Sequence, residues 1–159
     1  MRSIRGFPFI CSIAVSIFLL GVTSSLAVEV YIPALKGKPG NTVDVPIVID
    51  RVEQLAGIKL ILNYDKEVLK FREGNKTKGT QSLMHIINDR QPGRLVIVMA
   101  GAKGINGKDL TIMVLSFEVK KGSSAGKTTR IEIPEVQLMS ESLKDIKAEI
   151  KAGSIAISP

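Results

Sequence analysis

His85 is the sole histidine of this 159-residue chain and Cys11 is its sole cysteine. A histidine acts as a general base only with a nucleophile in hydrogen-bond reach and a group behind it that orients the ring. His85 instead stands within the apolar run Leu83–Asn88, which predicts a structural ring. Serines and threonines are plentiful, yet no Gly-x-Ser-x-Gly elbow is present to expose one as a nucleophile. Asp44 with Asp50, and Glu141 with Asp145, fall on strand faces and in turns at no spacing that marks an acid/base pair. A glycosidase would need two carboxylates facing one another across a sugar cleft. These four read as solvated charges. There is no calcium-loop pattern, no histidine cluster and no phosphate-cradling glycine loop. The residues therefore predict no catalytic centre, no metal site and no cofactor, and the expected activity is binding rather than catalysis.

The elements that would carry a binding surface are strands. Apolar residues recur with a period of two from Val28 almost to the end, and no stretch makes a long amphipathic helix. The runs are Val28–Ile32, Val43–Ile49, Gly57–Tyr64, Val68–Phe71, Leu83–Asn88, Arg94–Ala100, Leu110–Val119 and Ile131–Leu138, with a last bent run from Ile146 to Ile157 turning at Gly153. Asp65-Lys66-Glu67 reads as a single turn, and Asp89-Arg90-Gln91-Pro92-Gly93 as the turn of a hairpin. Glu73–Ser82 and Lys121–Lys127 read as solvent loops, and Lys103–Lys108 as another turn cluster. Asn75-Lys76-Thr77 matches a glycosylation acceptor pattern and is read as chance. Pro46 cannot donate to a ladder, so its strand should be at an edge or bulged there. Ile131 and Ile133 share one parity and Val136 and Leu138 the other, which a bulge near Pro134 would reconcile. About nine short strands with a turn signal roughly every ten residues give an all-β fold of the sandwich or barrel type, in one domain.

Ahead of that domain, residues 1–27 read as a signal peptide: Arg2 and Arg5 open it, Phe7–Val22 is apolar, and Ser25 and Ala27 offer the small residues of a cleavage site. Cleavage between Ala27 and Val28 would leave residues 28–159. About 16 apolar residues is short for a membrane span, which needs roughly 20. The membrane is thus met only during export, unless the segment stays uncleaved as an anchor. Export predicts a secreted, periplasmic or cell-surface bacterial protein. Loss of Arg2 and Arg5 lowers the 22 basic residues to 20 against 15 acidic, a net charge of +5. Those charges scatter over turns and strand ends without interleaved aromatics, which excludes nucleic acid as the expected partner. Cys11 leaves with the leader, so no disulfide or thiolate site is available to the domain.

Leu95-Val96-Ile97-Val98-Met99-Ala100 is the most informative segment, because both of its parities are apolar. One assignment puts Val96, Val98 and Ala100 in the core. Leu95, Ile97 and Met99 then face outward beside Ile61, rimmed by Lys59, Arg90 and Arg94, as an apolar patch for a partner protein. The bland assignment is a central strand covered on both faces by the chain itself. A carbohydrate ligand is the second reading, disfavoured because residues 28–159 hold no tryptophan and only Tyr31, Tyr64, Phe71 and Phe117 as aromatics. A structural subunit of a surface or secretion assembly, joined through edge strands, is the third.

Several segments together resemble bacterial cohesin modules over nearly all of residues 28–157. Gly40-Asn41-Thr42-Val43-Asp44-Val45-Pro46-Ile47 is similar to the family's early Gly-Asp-Thr-Val-x-Val-Pro-Val strand, and Leu55-Ala56-Gly57-Ile58 to the entrance of its next strand. Tyr64-Asp65-Lys66-Glu67-Val68-Leu69 is similar to its Tyr-Asp-Pro-x-Val-Leu corner, and Gly153-Ser154-Ile155-Ala156-Ile157 to its closing strand. The resemblance implies a nine-stranded jelly-roll sandwich and a non-catalytic role in extracellular polysaccharide-degrading assemblies, with a dockerin-type protein bound on one sheet. The related carbohydrate-binding modules imply a polysaccharide as the other ligand class. The chain departs from the pattern at Lys66, where the family has proline. It departs again at Gly57, Lys59 and Gly101, where the family carries amide or acidic dockerin contacts, and these departures count against dockerin recognition of the best-known type.

Overall fold

Alternation builds strands, and in the computed structural model it builds ten of them among the described residues, 27–159. They are β1 (Val28–Tyr31), β2 (Ala34–Gly37), β3 (Thr42–Tyr64), β4 (Leu69–Lys76), β5 (Met84–Asn88), β6 (Arg94–Val119), β7 (Thr128–Ser140), β8 (Asp145–Ile146), β9 (Ala148–Lys151) and β10 (Gly153–Ile157). The only helical segment described is a 3-10 turn, Lys78–Thr80. The leader, with its expected cleavage before Val28, lies outside the described residues apart from Ala27.

β3 and β6 are long enough to serve two layers. They pair antiparallel along most of their length, with register shifts between Ile47 and Val48 and between Val52 and Gly57. In the second half of β3, residues 55–64, the neighbours are β6 residues 94–105 and β7. β5 closes the far side of β6, and β8 the far side of β7. In the first half, residues 42–52, the neighbours are β6 residues 107–119 and β1; β4 flanks β6 there, and β9 runs parallel to β1. β10 joins the start of β7 and carries β2 in parallel.

One face of each half goes to a single core. Val43, Val45, Ile47 and Ile49 from the first half of β3 share one buried cluster with Ile58, Leu60 and Leu62 from the second, together with Leu115, Phe117, Ile131 and Ile155. The inward residues change from odd to even across the bend, where Gln54 takes a left-handed backbone (φ 54°) and its N–H donates to Asn106 Oδ1 at 2.8 Å. The same geometry makes Lys103–Lys108 a passage of β6 between layers rather than a chain reversal.

Proline behaves as its missing donor requires. β1 reaches only to Val48, so β3 has β6 as its ladder partner at Pro46, and the ladder shifts one residue later. Near Pro134 the partner of β3 jumps from Glu135 to Glu132 as β3 advances only from Ile61 to Asn63. The extra residue brings Ile131, Ile133 and Leu138 to the core despite their mixed parity. At the Tyr64–Leu69 corner Asp65 Oδ1 accepts the Glu67 N–H at 2.8 Å and the Asp65 carbonyl accepts that of Leu69 at 2.8 Å. This turn forms with Lys66 in place of proline, and Tyr64 and Phe71 set their rings edge-on to Phe117.

Three sequence expectations need correction. Leu95, Ile97 and Met99 do not face outward: they are 0, 0 and 1 % exposed. Directly opposed residues in a ladder share a face, and these three lie opposite Leu62, Leu60 and Ile58, whose side chains fill the core. Glu73–Ser82 is not simply a loop, since β4 runs to Lys76 and the 3-10 turn buries Thr80, whose hydroxyl donates to the Ile112 carbonyl at 2.8 Å. His85 is not a buried structural ring; it is exposed on edge strand β5.

Candidate partner-binding face

With the bulky parity of β6 turned inward, Val96, Val98 and Ala100 point outward. Register extends their rows across the layer. Met84, Ala100, Gly57 and Met139 form one row; Ile86, Val98, Lys59 and Gln137 form the next; Asn88, Val96, Ile61 and Glu135 form a third. Met84 is 76 % exposed, Ile86 71 %, Val98 41 % and Met139 39 %. Among the described residues six large hydrophobic side chains are exposed, and these four share one face. Antiparallel sheets normally alternate apolar inside and polar outside; this layer departs from that by carrying exposed apolar side chains on its outer face among Lys59, Gln137, Asn88 and Glu135.

Gly57 leaves the middle of the first row without a side chain. A shallow depression forms there, bounded by Lys59, Val98, Ala100, Gln137, Met139 and Asp145. A β-carbon at Gly57 would stand 3.2 Å from that of Met139, so a larger residue would both crowd Met139 and fill the depression. Lys59 is not a free cation, since its ammonium donates to Glu135 Oε1 at 2.6 Å with both side chains more than a third exposed. Such a pair adds at most about 1 kcal/mol of stability. Its effect is to cancel charge beside the apolar rows.

The opposite layer has a different outer surface. Asp44 accepts from the Ser116 hydroxyl at 2.7 Å, Arg72 pairs with Glu118, and Lys151 pairs with Glu29 at 2.6 Å. The hydrogen bond to Glu29, reinforced by its charge, raises the Lys151 ammonium above the ordinary lysine value. That surface is polar and charged, with these groups paired to one another.

Of the residues expected at the binding face, Lys59 and Arg94 lie on the outer side of this layer, and Ile61 shares that parity but is buried, at 6 % exposure. Arg90 lies at its end, in the β5–β6 turn, and Leu95, Ile97 and Met99 lie beneath it. Sequence reading missed Met84, Ile86, Val98, Ala100 and Met139. One signal was available: Leu, Ile and Met alternate with the smaller Val, Val and Ala, and the larger set belongs in the core.

Of the four carboxylates read as solvated charges, Asp50 and Glu141 hold backbone. Asp50 Oδ1 accepts the N–H groups of Glu29 and Arg51 at 2.8 and 2.7 Å, and Glu141 Oε2 accepts that of Gly104 at 2.8 Å. No group of three or more histidine, cysteine, aspartate or glutamate side chains comes together among the described residues.

Comparison with known proteins gives one family. The model of the cohesin domain matches residues 28–157. Similar solved structures include the sixth cohesin of scaffoldin B from Acetivibrio cellulolyticus, in complex with a Cel5 dockerin, at 18 % identity and TM-score 0.75 over 83 % of this chain and 99 % of that one. A non-cellulosomal cohesin from the archaeon Archaeoglobus fulgidus has 16 % identity and TM-score 0.75, over 84 % of this chain and 92 % of that one. The cohesin of a Clostridium thermocellum OlpC–dockerin complex has 22 % identity and TM-score 0.73, over 83 % and 94 %. A search of curated proteins found no match.

Proposed function

The chain belongs to the cohesin family, and from that premise we propose that it is an exported, non-catalytic module that docks one protein partner on the outer face of the β5–β6–β3–β7 layer. The observation that carries this reading is the concentration of Met84, Ile86, Val98 and Met139 on that face, while the outer surface of the opposite layer carries polar and charged side chains such as Asp44, Ser116, Arg72 and Glu118. Buried apolar anchors dominate the energy of a typical interface and polar groups form its rim. Lys59, Glu135, Gln137 and Arg94 are placed to be that rim, on the same rows or beside them.

A dockerin is the partner class supported by the complexes of similar fold. With Gly57 at the centre and the charge of Lys59 neutralised beside it, the face selects a partner that offers apolar side chains, one of them into the depression at Gly57, rather than a ladder of amide and acid contacts. Work within an extracellular assembly accords with this role. The test is a panel of purified dockerins mixed singly with the protein and resolved by size-exclusion chromatography. A one-to-one complex that a Met139→Asp variant fails to form supports the reading. A dockerin complex that forms equally well with Met139→Asp, or no complex with any dockerin, counts against it.

A further inference from the structure

A second site lies away from the docking face, at the end of the sandwich where the β3–β4 corner meets the β5–β6 turn. A cleft of about 400 Å³ opens there, within the size range of small-molecule sites. Its walls include the half-buried rings of Tyr64 and Phe71, with Leu69 beneath and Pro92 at the side. Three lysines from separate segments line it: Lys66 from the corner, Lys70 from β4, and Lys120 just past β6. Among the described residues none of the three has a carboxylate within ion-pair distance; Glu118, opposite Lys70 in the ladder, is taken by Arg72. Three like charges held around one cleft repel one another and are relieved by an anion.

The rest of the lining narrows the choice of anion. Asp89 also borders the cleft. A carboxylate there accepts hydrogen bonds from hydroxyl groups and repels a compact dianion such as phosphate. The apolar surface of the Tyr64 and Phe71 rings, with Leu69 and Pro92, suits the C–H face of a pyranose ring and offers nothing to an inorganic ion. We propose that this cleft binds a carboxylated saccharide of the uronic-acid class, with its ring against Tyr64 and Phe71, its carboxylate among Lys66, Lys70 and Lys120, and a hydroxyl on Asp89. Lysine meets a carboxylate through charge-assisted hydrogen bonds, so binding weakens as salt rises. The site stands independently of the docking face and leaves it free for a protein.

Titration of the isotope-labelled protein with oligogalacturonate, followed by amide chemical shifts, tests this directly. The neutral galactose oligomer, inorganic phosphate and a poly-glutamate peptide serve as separate comparison ligands. The expected result is saturable shifts confined to residues around Tyr64–Phe71, Asp89–Pro92 and Lys120, seen with oligogalacturonate alone. A Lys70→Gln/Lys120→Gln variant with unchanged thermal stability should bind about tenfold more weakly, the scale of losing charge-assisted hydrogen bonds at a part-exposed site. An Ile86→Asp variant should bind as the parent does. Equal binding of phosphate or poly-glutamate would mean a general anion site and overturn the assignment. Equal binding of the neutral oligomer would remove the role of the lysines, and absence of saturable shifts would remove the site.

Discussion

Ile97 and Val98 are adjacent, similar in chemistry and opposite in fate, and the reason is the partner strand. Leu60, across the ladder from Ile97, points into the core; Lys59, across from Val98, points to solvent. Substituting aspartate at the two positions therefore separates folding from binding. Ile97→Asp should destabilise the protein by more than about 4 kcal/mol, because an unpaired charge enters a packed core. Val98→Asp should change stability by no more than about 1 kcal/mol and abolish partner binding; urea unfolding of each variant checks both figures. Apolarity alone could not decide this parity, since Leu95–Ala100 is apolar throughout; side-chain size was the one local hint, and the arbiter is a register made with residues some 37 positions away. Gly57 carries a related expectation. Gly57→Leu should leave the fold intact with Met139 slightly displaced and should weaken binding at least tenfold by filling the depression, an effect on the scale of an interface anchor that calorimetry would resolve.

The strands themselves were readable because alternation and proline chemistry are local properties. The edge at Pro46 and the bulge near Pro134 follow from a missing N–H and a change of parity, and both are present. What local reading misplaced were segments whose form depends on a distant contact. Lys76–Leu83 holds its shape through Lys76 Nζ, which donates to the Gln81 and Leu83 carbonyls, and Thr77, whose hydroxyl donates to the Thr111 carbonyl at 2.6 Å. The passage of β3 and β6 between layers depends on Gly104, where a β-carbon would run into the backbone of Gln54. Gln54 is itself left-handed, a conformation that glycine adopts without cost. Two substitutions at this bend should act in opposite directions. Gly104→Ala should cost about 1 to 3 kcal/mol through overpacking. Gln54→Gly should be neutral or stabilising by up to about 1 kcal/mol, through relief of the backbone strain. Thermal melts of the two variants decide the matter, and equal losses in both would show that the bend is not fixed by this contact.

For the molecule as a whole, a cysteine-free domain of residues 28–159 draws its stability from one core shared by two layers. Having satisfied that core, it gathers four of the six large exposed apolar side chains among the described residues on one outer face. The asymmetry is what the docking account explains, and export is the second half of the account. N-terminal sequencing of the protein recovered outside the cytoplasm should begin at Val28; recovery with Met1 or Arg2 still present and membrane-bound would indicate an uncleaved anchor. The family could be read from the Gly40–Ile47, Tyr64–Leu69 and Gly153–Ile157 segments, whereas the identities of the face residues required the register. The most direct test of the central claim is calorimetric titration of a bound dockerin against three proteins of equal stability: the parent, Ile86→Asp/Val98→Asp on the apolar face, and Asp44→Asn/Glu73→Gln on the opposite layer. The account predicts binding by the first and third with the same affinity and at least about a 100-fold loss in the second. Unaltered binding by the second protein, or a loss confined to the third, would contradict it.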